Sequence, residues 1–280
     1  MIDLCTVNYN TWPLLMRQIT ALNLDPKAKP GYKLYVADNA STDNSREAME
    51  GMFPDSQSLA RVNIELFIGN RTNMGYANAC NQLAARGTSD IIGLLNADVW
   101  LTNDDVLAIQ QSFDSDPEIA ILGPKQRDEQ GNITHAGIFG TNDAPKHRGW
   151  KKPDPHDAEF RGLLEAVTVS GAAYFIRRSV WDELRDDEEY NNVVTTLVDE
   201  GLIPHPLYRG AFLPTKHYYE ETFCSYFAHH RGYKVFYDGR VSIGHSWHAS
   251  HPVGSPQDKL FKESQKAFRR ACDLLGIDHD

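Results

Sequence analysis

Over its first 123 positions the chain alternates two patterns. Short, continuously apolar runs at 4–9, 32–37, 62–67, 91–95 and 119–122 read as strands buried on both faces of a sheet. Between them Leu14, Leu15, Gln18, Ile19 and Leu22 recur at helical spacing, and 45–52 and 73–86 continue as helices. Thr102 with Asp105 three residues on predicts a capping box opening another helix. This alternation predicts an α/β fold, Rossmann-like, with a mainly parallel central sheet flanked by helices.

The second half is less regular. Residues 140–160 mix Pro, Gly, His and Lys without period and read as a surface loop. A strand over 167–176 is interrupted at Ser170-Gly171, 186–215 is polar with no assigned structure, and 234–237 and 241–243 are short strands. Residues 258–277 predict an amphipathic C-terminal helix with Leu260, Phe261, Phe268, Cys272 and Leu275 on its apolar side. The organisation expected is one domain over 1–255, with halves 1–123 and 124–255, followed by the helix within 256–280.

Sheets of this kind bind ligands at the carboxyl ends of their strands. Three polar clusters fall there: 8–10, 38–43 and 96–98. Asp98, closing L-L-N-A-D-V, is placed to hold Mn2+ or Mg2+ against a diphosphate, or is a solvated turn residue. Asp38, in V-A-D-N-A-S-T-D-N-S, offers a carboxylate to a base or ribose. Equally, Asp38, Ser41 and Asp43 satisfy the turn and cap the next helix. Glu220-Glu221 in an aromatic setting suit a general base, or are acidic residues favouring a helix start. His245, in H-S-W-H-A-S-H, is a candidate metal ligand completing a site with Asp98. The three histidines there lack the cysteine or acid of a familiar zinc pattern.

A net charge of −10 argues against general nucleic-acid binding. The four cysteines, Cys5, Cys80, Cys224 and Cys272, are widely spaced and read as reduced thiols. The start Met1-Ile2-Asp3-Leu4 lacks the pattern of a signal peptide, and no apolar run reaches bilayer length. A soluble cytoplasmic protein is expected, with peripheral membrane contact left open. Lys259, Lys262, Lys266, Arg269 and Arg270 on the last helix could touch an anionic membrane or nucleic acid, but solvated charges are the favoured reading.

Taken in order, V-N-Y-N (7–10), V-A-D-N-A-S-T-D-N-S (36–45), N-M-G-Y-A-N-A-C-N (73–81), L-L-N-A-D-V (94–99), V-S-G-A-A-Y-F-I-R-R (169–178), Glu220-Glu221, Gly232-Tyr233 and His245 resemble glycosyltransferase family 2, in its rhamnosyltransferase-like branch. The resemblance runs from about 2 to 250. It implies a GT-A fold and an inverting, divalent-metal-dependent transfer from a UDP- or dTDP-sugar to a hydroxyl, on a glycan, lipid-linked glycan, protein or modified nucleobase. It further implies Asp38 at the nucleobase with Asn10 and Asp43 nearby, Asn73, Asn96 and Gly171 around the donor, Asp98 and His245 at the metal, and Glu221 as base supported by Glu220. The chain departs from the family pattern at Glu221, where Asp is usual, and at Gly210-Ala211-Phe212-Leu213-Pro214, where G-G-F-D-E is usual. Two alternatives stand beside this reading. One is a non-catalytic nucleotide-sugar or carbohydrate binder. The other is a sugar nucleotidyltransferase, disfavoured because no glycine-rich loop follows the first strand; a dehydrogenase is excluded for want of G-x-G-x-x-G.

Overall fold

The computed structural model describes residues 1–25, 29–140, 146–154, 158–247 and 260–279. In chain order the elements are β1 (Ile2–Asn8), α1 (Trp12–Leu22), β2 (Tyr32–Asp38), α2 (Ser45–Met52), α3 (Ser56–Ala60), β3 (Ile64–Gly69), α4 (Tyr76–Ala84), β4 (Ile91–Asn96), β5 (Val99–Trp100), α5 (Asn103–Ser115) and β6 (Ile119–Arg127). There follow β7 (Ile133–His135), β8 (Leu163–Ala166), β9 (Ala173–Arg177), α6 (Arg178–Asp186), α7 (Glu188–Asp199), α8 (Glu220–His230), β10 (Lys234–His245) and α9 (Phe261–Leu275).

The strands form one sheet ordered β3-β2-β1-β4-β9-β6-β10-β5, with β7 added to β6 and β8 to β10. β3, β2, β1 and β4 run parallel, as the sequence predicts. Beyond β4 the sheet is mixed: β9 enters antiparallel between β4 and β6, and β10 runs parallel to β6 but antiparallel to β5 and β8. Every residue of β1 is buried. Its side chains divide by the two-residue strand period: Ile2 and Leu4 join the core that includes α1 and α5, while Cys5 and Val7 join the core under α4, α6, α7, α8 and α9. All four cysteines are free and buried. Among the described residues no helix is long and apolar enough to cross a membrane.

Several expectations change. The helix expected over 73–86 begins only at Tyr76, because Gly75 sits at φ +82° and its amide donates to Asn73 Oδ1 at 2.9 Å. The strand expected over 167–176 is confined to β9, because Ser170 turns the chain: its Oγ accepts from the Ala172 amide and its carbonyl from the Ala173 amide, both at 3.2 Å. The unassigned stretch 186–215 contains α7, capped by the Asp187 side chain on the Tyr190 amide. The two strands expected at 234–237 and 241–243 are one strand, β10, whose register against β6 jumps between Asp238 and Ser242. In α9, Ala267, Phe268, Ala271 and Cys272 are buried, Phe261 and Leu274 are exposed, and Arg270 pairs with Glu200 at 2.7 Å. Residues 248–251 of the histidine motif and the expected helix start at 258–259, with Lys259, lie outside the described residues.

Candidate active site

The strand ends converge as the register dictates: Asn8 stands opposite Asp38, and Val7 opposite Asn96. Past them opens a cavity of about 900 Å³. Asn73, Asn96, Asp98, Gly171, Glu220, Glu221 and His245 all line it. The structure thus gathers seven of the ten site residues expected from sequence, drawn from segments up to 172 positions apart.

At one end lies the Asp98 turn. The buried Gln18 side chain holds it, donating through Nε2 to the carbonyls of Asn96 and Val99 at 3.0 and 2.8 Å while its Oε1 accepts from Thr6 at 2.8 Å. Immediately after Asp98, β5 pairs with β10, Val99 opposite His245 and Trp100 opposite Gly244. Gly244 is required there, since a Cβ would fall 1.8 Å from the Trp100 ring. The Ser246 amide then donates to the Asp98 carbonyl at 2.9 Å. This pairing brings His245 Nε2 to 3.7 Å from Asp98 Oδ1, with both residues about 4% exposed or less. Thr134 Oγ1 lies 3.5 Å from the other ring nitrogen, Nδ1 of His245.

A carboxylate oxygen and an imidazole nitrogen separated by 3.7 Å at a cavity wall fit two adjacent ligands of one divalent ion. Among the described residues no group of three or more His, Cys, Asp or Glu side chains is arranged to hold a metal. A Mg2+ or Mn2+ ion in a phosphate site needs only one or two protein groups, which share it with water and substrate oxygens.

The three residues expected at the nucleobase do not line the cavity. Asp38 is fully buried: Oδ1 accepts from Asn8 Nδ2 and Ser41 Oγ at 2.8 and 2.5 Å, and Oδ2 from the Ser41 amide at 3.1 Å. Asn10, at φ +58°, accepts through Oδ1 from the amides of Thr42 and Asp43 at 2.7 and 3.2 Å. Asp43 itself accepts from the Ser45 amide at 2.9 Å. These bonds latch the β1 and β2 loops together, the turn chemistry that the sequence also allowed. Tyr9, Thr11 and Asn39 from the same loops face the cavity instead. Asn39 accepts from the Met74 amide at 3.2 Å and donates to Asn73 Oδ1 at 3.0 Å, tying the β2 loop to the start of α4.

Elsewhere along the cavity lining, Tyr218 and its neighbour Tyr219 both adopt left-handed backbone, at φ +69° and +70°. Non-glycine residues rarely do so, and the surroundings must hold them there. Tyr218 packs on Phe261 of α9, and Tyr219 on Phe261 and Phe268, with centroids 5.0–5.6 Å apart. Lys216 pairs with Glu263 at 2.5 Å, and the His217 amide donates to Ser264 Oγ at 3.2 Å. The turn therefore rests on α9 and delivers Glu220 and Glu221 as the first residues of α8.

Burial drives both carboxyls above their ordinary range, and in Glu220 the neighbouring Glu221 charge adds to it. Thr215 Oγ1 donates to Glu220 Oε2 at 3.2 Å, and Thr222 Oγ1 to Glu221 Oε1 at 3.2 Å. A carboxyl raised in the fold favours the native state while protonated and loses that advantage as pH rises from the unfolded value, about 4.3, through the folded one. Glu220→Gln, which keeps the uncharged form, should melt above wild type at pH 8. The gap should close below pH 4, as thermal unfolding across pH will show.

Gly171 lies against Glu221. A Cβ there would sit 2.9 Å from Cδ of Glu221, so only glycine leaves the carboxyl its place. Gly171→Ala should lower kcat on the order of tenfold, a misplacement cost below that of losing the base, with the fold retained by circular dichroism.

Sequence reasoning missed a group beside Asp98 and His245. His147 lines the cavity, and His147 and His245 each meet the Trp247 ring nearly edge-on, at 5.5 and 5.4 Å. Trp150 lies 4.3 Å from Trp247. His147 also touches His135, Nδ1 to Nδ1 at 3.0 Å. Burial and the nearby His245 hold the His147 ring down to about 4. His205, Leu207 and His217 also line the cavity. The loop bearing His147 has no period, and no local signal marks it.

The model of the family described as glycosyl transferase family 2 matches residues 3–184. No curated protein sequence matches the chain. Among solved structures, GalNAc-T7 with UDP, GalNAc and Mn2+ superposes with a TM-score of 0.61 at 16% identity, covering 95% of this chain and 47% of that one. S. aureus TarS 1-349 with UDP gives 0.55 at 13%, covering 96% and 64%. The mannosyltransferase PcManGT of Pyrobaculum calidifontis with GDP-Man and Mn2+ gives 0.54 at 15%, covering 98% and 74%. This chain thus spans about half the length of the first, and the likeness is one of fold. The matched segment carries the strand ends, the Asp98 turn and Gly171; since it is well over half of the 280 residues, the chain belongs to glycosyl transferase family 2.

Proposed function

We propose that the protein is an inverting glycosyltransferase that uses a nucleotide-sugar, UDP- or dTDP-linked, and a divalent cation, Mn2+ or Mg2+. The observation that carries this reading is a single cavity lined by both a carboxylate–imidazole pair and a raised, paired carboxyl. Solved structures of the same fold hold UDP, or GDP-Man with Mn2+. The order of motifs favours the rhamnosyltransferase-like branch.

Asp98 and His245 hold the cation, which when bound offsets the negative charge of the donor diphosphate. Asn73, Asn96 and the Tyr9, Thr11 and Asn39 edge contact the donor. Asp38, Asn10 and Asp43 support that edge from behind, a change from direct base contact. Glu221 takes the proton of the acceptor hydroxyl as its oxygen bonds to the anomeric carbon. The bond from that carbon to the diphosphate oxygen breaks in the same displacement, and nucleoside diphosphate leaves. One displacement inverts the configuration. Glu220, more buried and beside Glu221, is kept protonated by burial and by the Glu221 charge, which leaves the ionised form to Glu221.

Thermal shift with UDP, dTDP and GDP, each with and without Mn2+, tests the donor site. Stabilisation by one nucleotide that depends on the metal supports the reading; none with any nucleotide contradicts it.

A further inference from the structure

The His135–His147 contact fixes both protons. His135 is fully buried, and its Nε2 lies 3.3 Å from the amide nitrogens of Gly137 and Ser170. A backbone N–H only donates, so Nε2 must present its lone pair, and the ring carries its proton on Nδ1. That nitrogen lies 3.0 Å from His147 Nδ1. His147 Nδ1 is therefore the acceptor, and the His147 proton is on Nε2, which points away from His135.

His147 lines the cavity beside Trp247, at the end occupied by His245 and Asp98. With Nδ1 engaged and Nε2 protonated, its ring is not available as a metal ligand. It is a neutral, oriented hydrogen-bond donor. The Thr134 backbone lies within hydrogen-bonding reach of the His147 ring. An anionic oxygen is the stronger partner, because charge-assisted bonds are roughly twice as strong as neutral ones.

We propose that His147 donates from Nε2 to an oxygen of the donor's diphosphate, and that His135 is the positioning residue that sets its tautomer. The proposal rests on the donor-site reading above. A neutral donor in this place gains most when charge grows on the departing diphosphate, since it is already oriented and needs no reorganisation. The bond also favours a diphosphate over a monophosphate. Ser170, whose amide holds His135, adjoins the Gly171 that backs Glu221, so one loop secures the tautomer at one end and the base at the other.

The tautomers are read without any ligand, by long-range 1H–15N correlation on the 15N-labelled full chain. His135 should show the Nδ1–H form and His147 the Nε2–H form; an Nδ1–H form for His147 overturns the proposal. Adding UDP or GDP with Mg2+ should move the His147 Nε2 signal, whereas UMP or GMP should not. In His147→Phe the preference for diphosphate over monophosphate should fall about tenfold or more, the range for a hydrogen bond to a charged group. His135→Gln, which can accept through its carbonyl and donate through its amide, should keep much of that preference. An unchanged preference in His147→Phe overturns the proposal even if the tautomers are as stated. If wild type binds no nucleoside diphosphate, the donor-site reading fails and the diphosphate bond with it; the tautomers still report separately on the His135–His147 geometry.

Discussion

Asp98→Ala should leave a folded protein that no longer binds nucleoside diphosphate in a metal-dependent way and turns over on the order of 10²–10³-fold more slowly, the scale for removing one preorganised charge-stabilising group. The fold should survive because the turn is held by backbone and not by the carboxylate. Gln18 grips the carbonyls of Asn96 and Val99, and the Ser246 amide donates to the Asp98 carbonyl. What the variant loses is the oxygen 3.7 Å from His245 Nε2. Calorimetric titration of nucleotide with and without Mn2+ checks this. If metal dependence persists in the variant, the ion is held elsewhere.

Glu221→Gln should lower kcat by about 10²–10⁴-fold, the usual share of a general base, while donor KM changes little because the side chain acts on the acceptor proton. The pH profile should change in a defined direction. A base works ionised, and burial raises this carboxyl above its ordinary range, so wild-type kcat/KM should climb with pH through a limb lying above the usual glutamate value of about 4.3. That limb should vanish in Glu221→Gln. Glu221→Asp restores the residue usual in the family but withdraws the carboxyl by one methylene from a turn built for glutamate, and should recover only part of the loss. A binder without catalysis would show no effect of either change.

The first half of the fold was legible because its strands are buried on both faces and its helices carry regular apolar stripes: β1, β2, β4 and α2 fall within two residues of expectation. The second half departs for identifiable reasons. α7 does carry Tyr190, Val193, Val194 and Leu197 at helical spacing, all buried, but the acidic and amide residues among them mask the stripe. β10 reads as two strands because the bulge puts Asp238, Gly239 and Arg240 in its middle, where Arg240 pairs with the buried Asp238 at 2.8 Å. The mixed strand order is not local information: β9 enters between β4 and β6 through contacts that no short window contains.

The site divides the same way. Asp98 was named from its strand end and His245 as its candidate partner, yet their 3.7 Å approach depends on β5 pairing with β10, Val99 opposite His245. Glu220-Glu221 were visible as a pair, whereas the left-handed Tyr218-Tyr219 step and its support by α9 were not. At Asp38 the turn reading, which the sequence held level with the nucleobase reading, describes its bonding. His147 was missed because its partner His135, itself held by the Ser170 amide, meets it only in the folded chain.

The central claim is that one cavity binds a nucleotide-sugar with a divalent cation and activates a hydroxyl against it. Release of nucleoside diphosphate from a panel of UDP-, dTDP- and GDP-sugars with Mn2+, in wild type, Asp98→Ala and Glu221→Ala, tests it most directly, water standing in for the acceptor. The account predicts slow turnover of one donor by wild type, lost in both variants. Turnover that survives unchanged in both would contradict it.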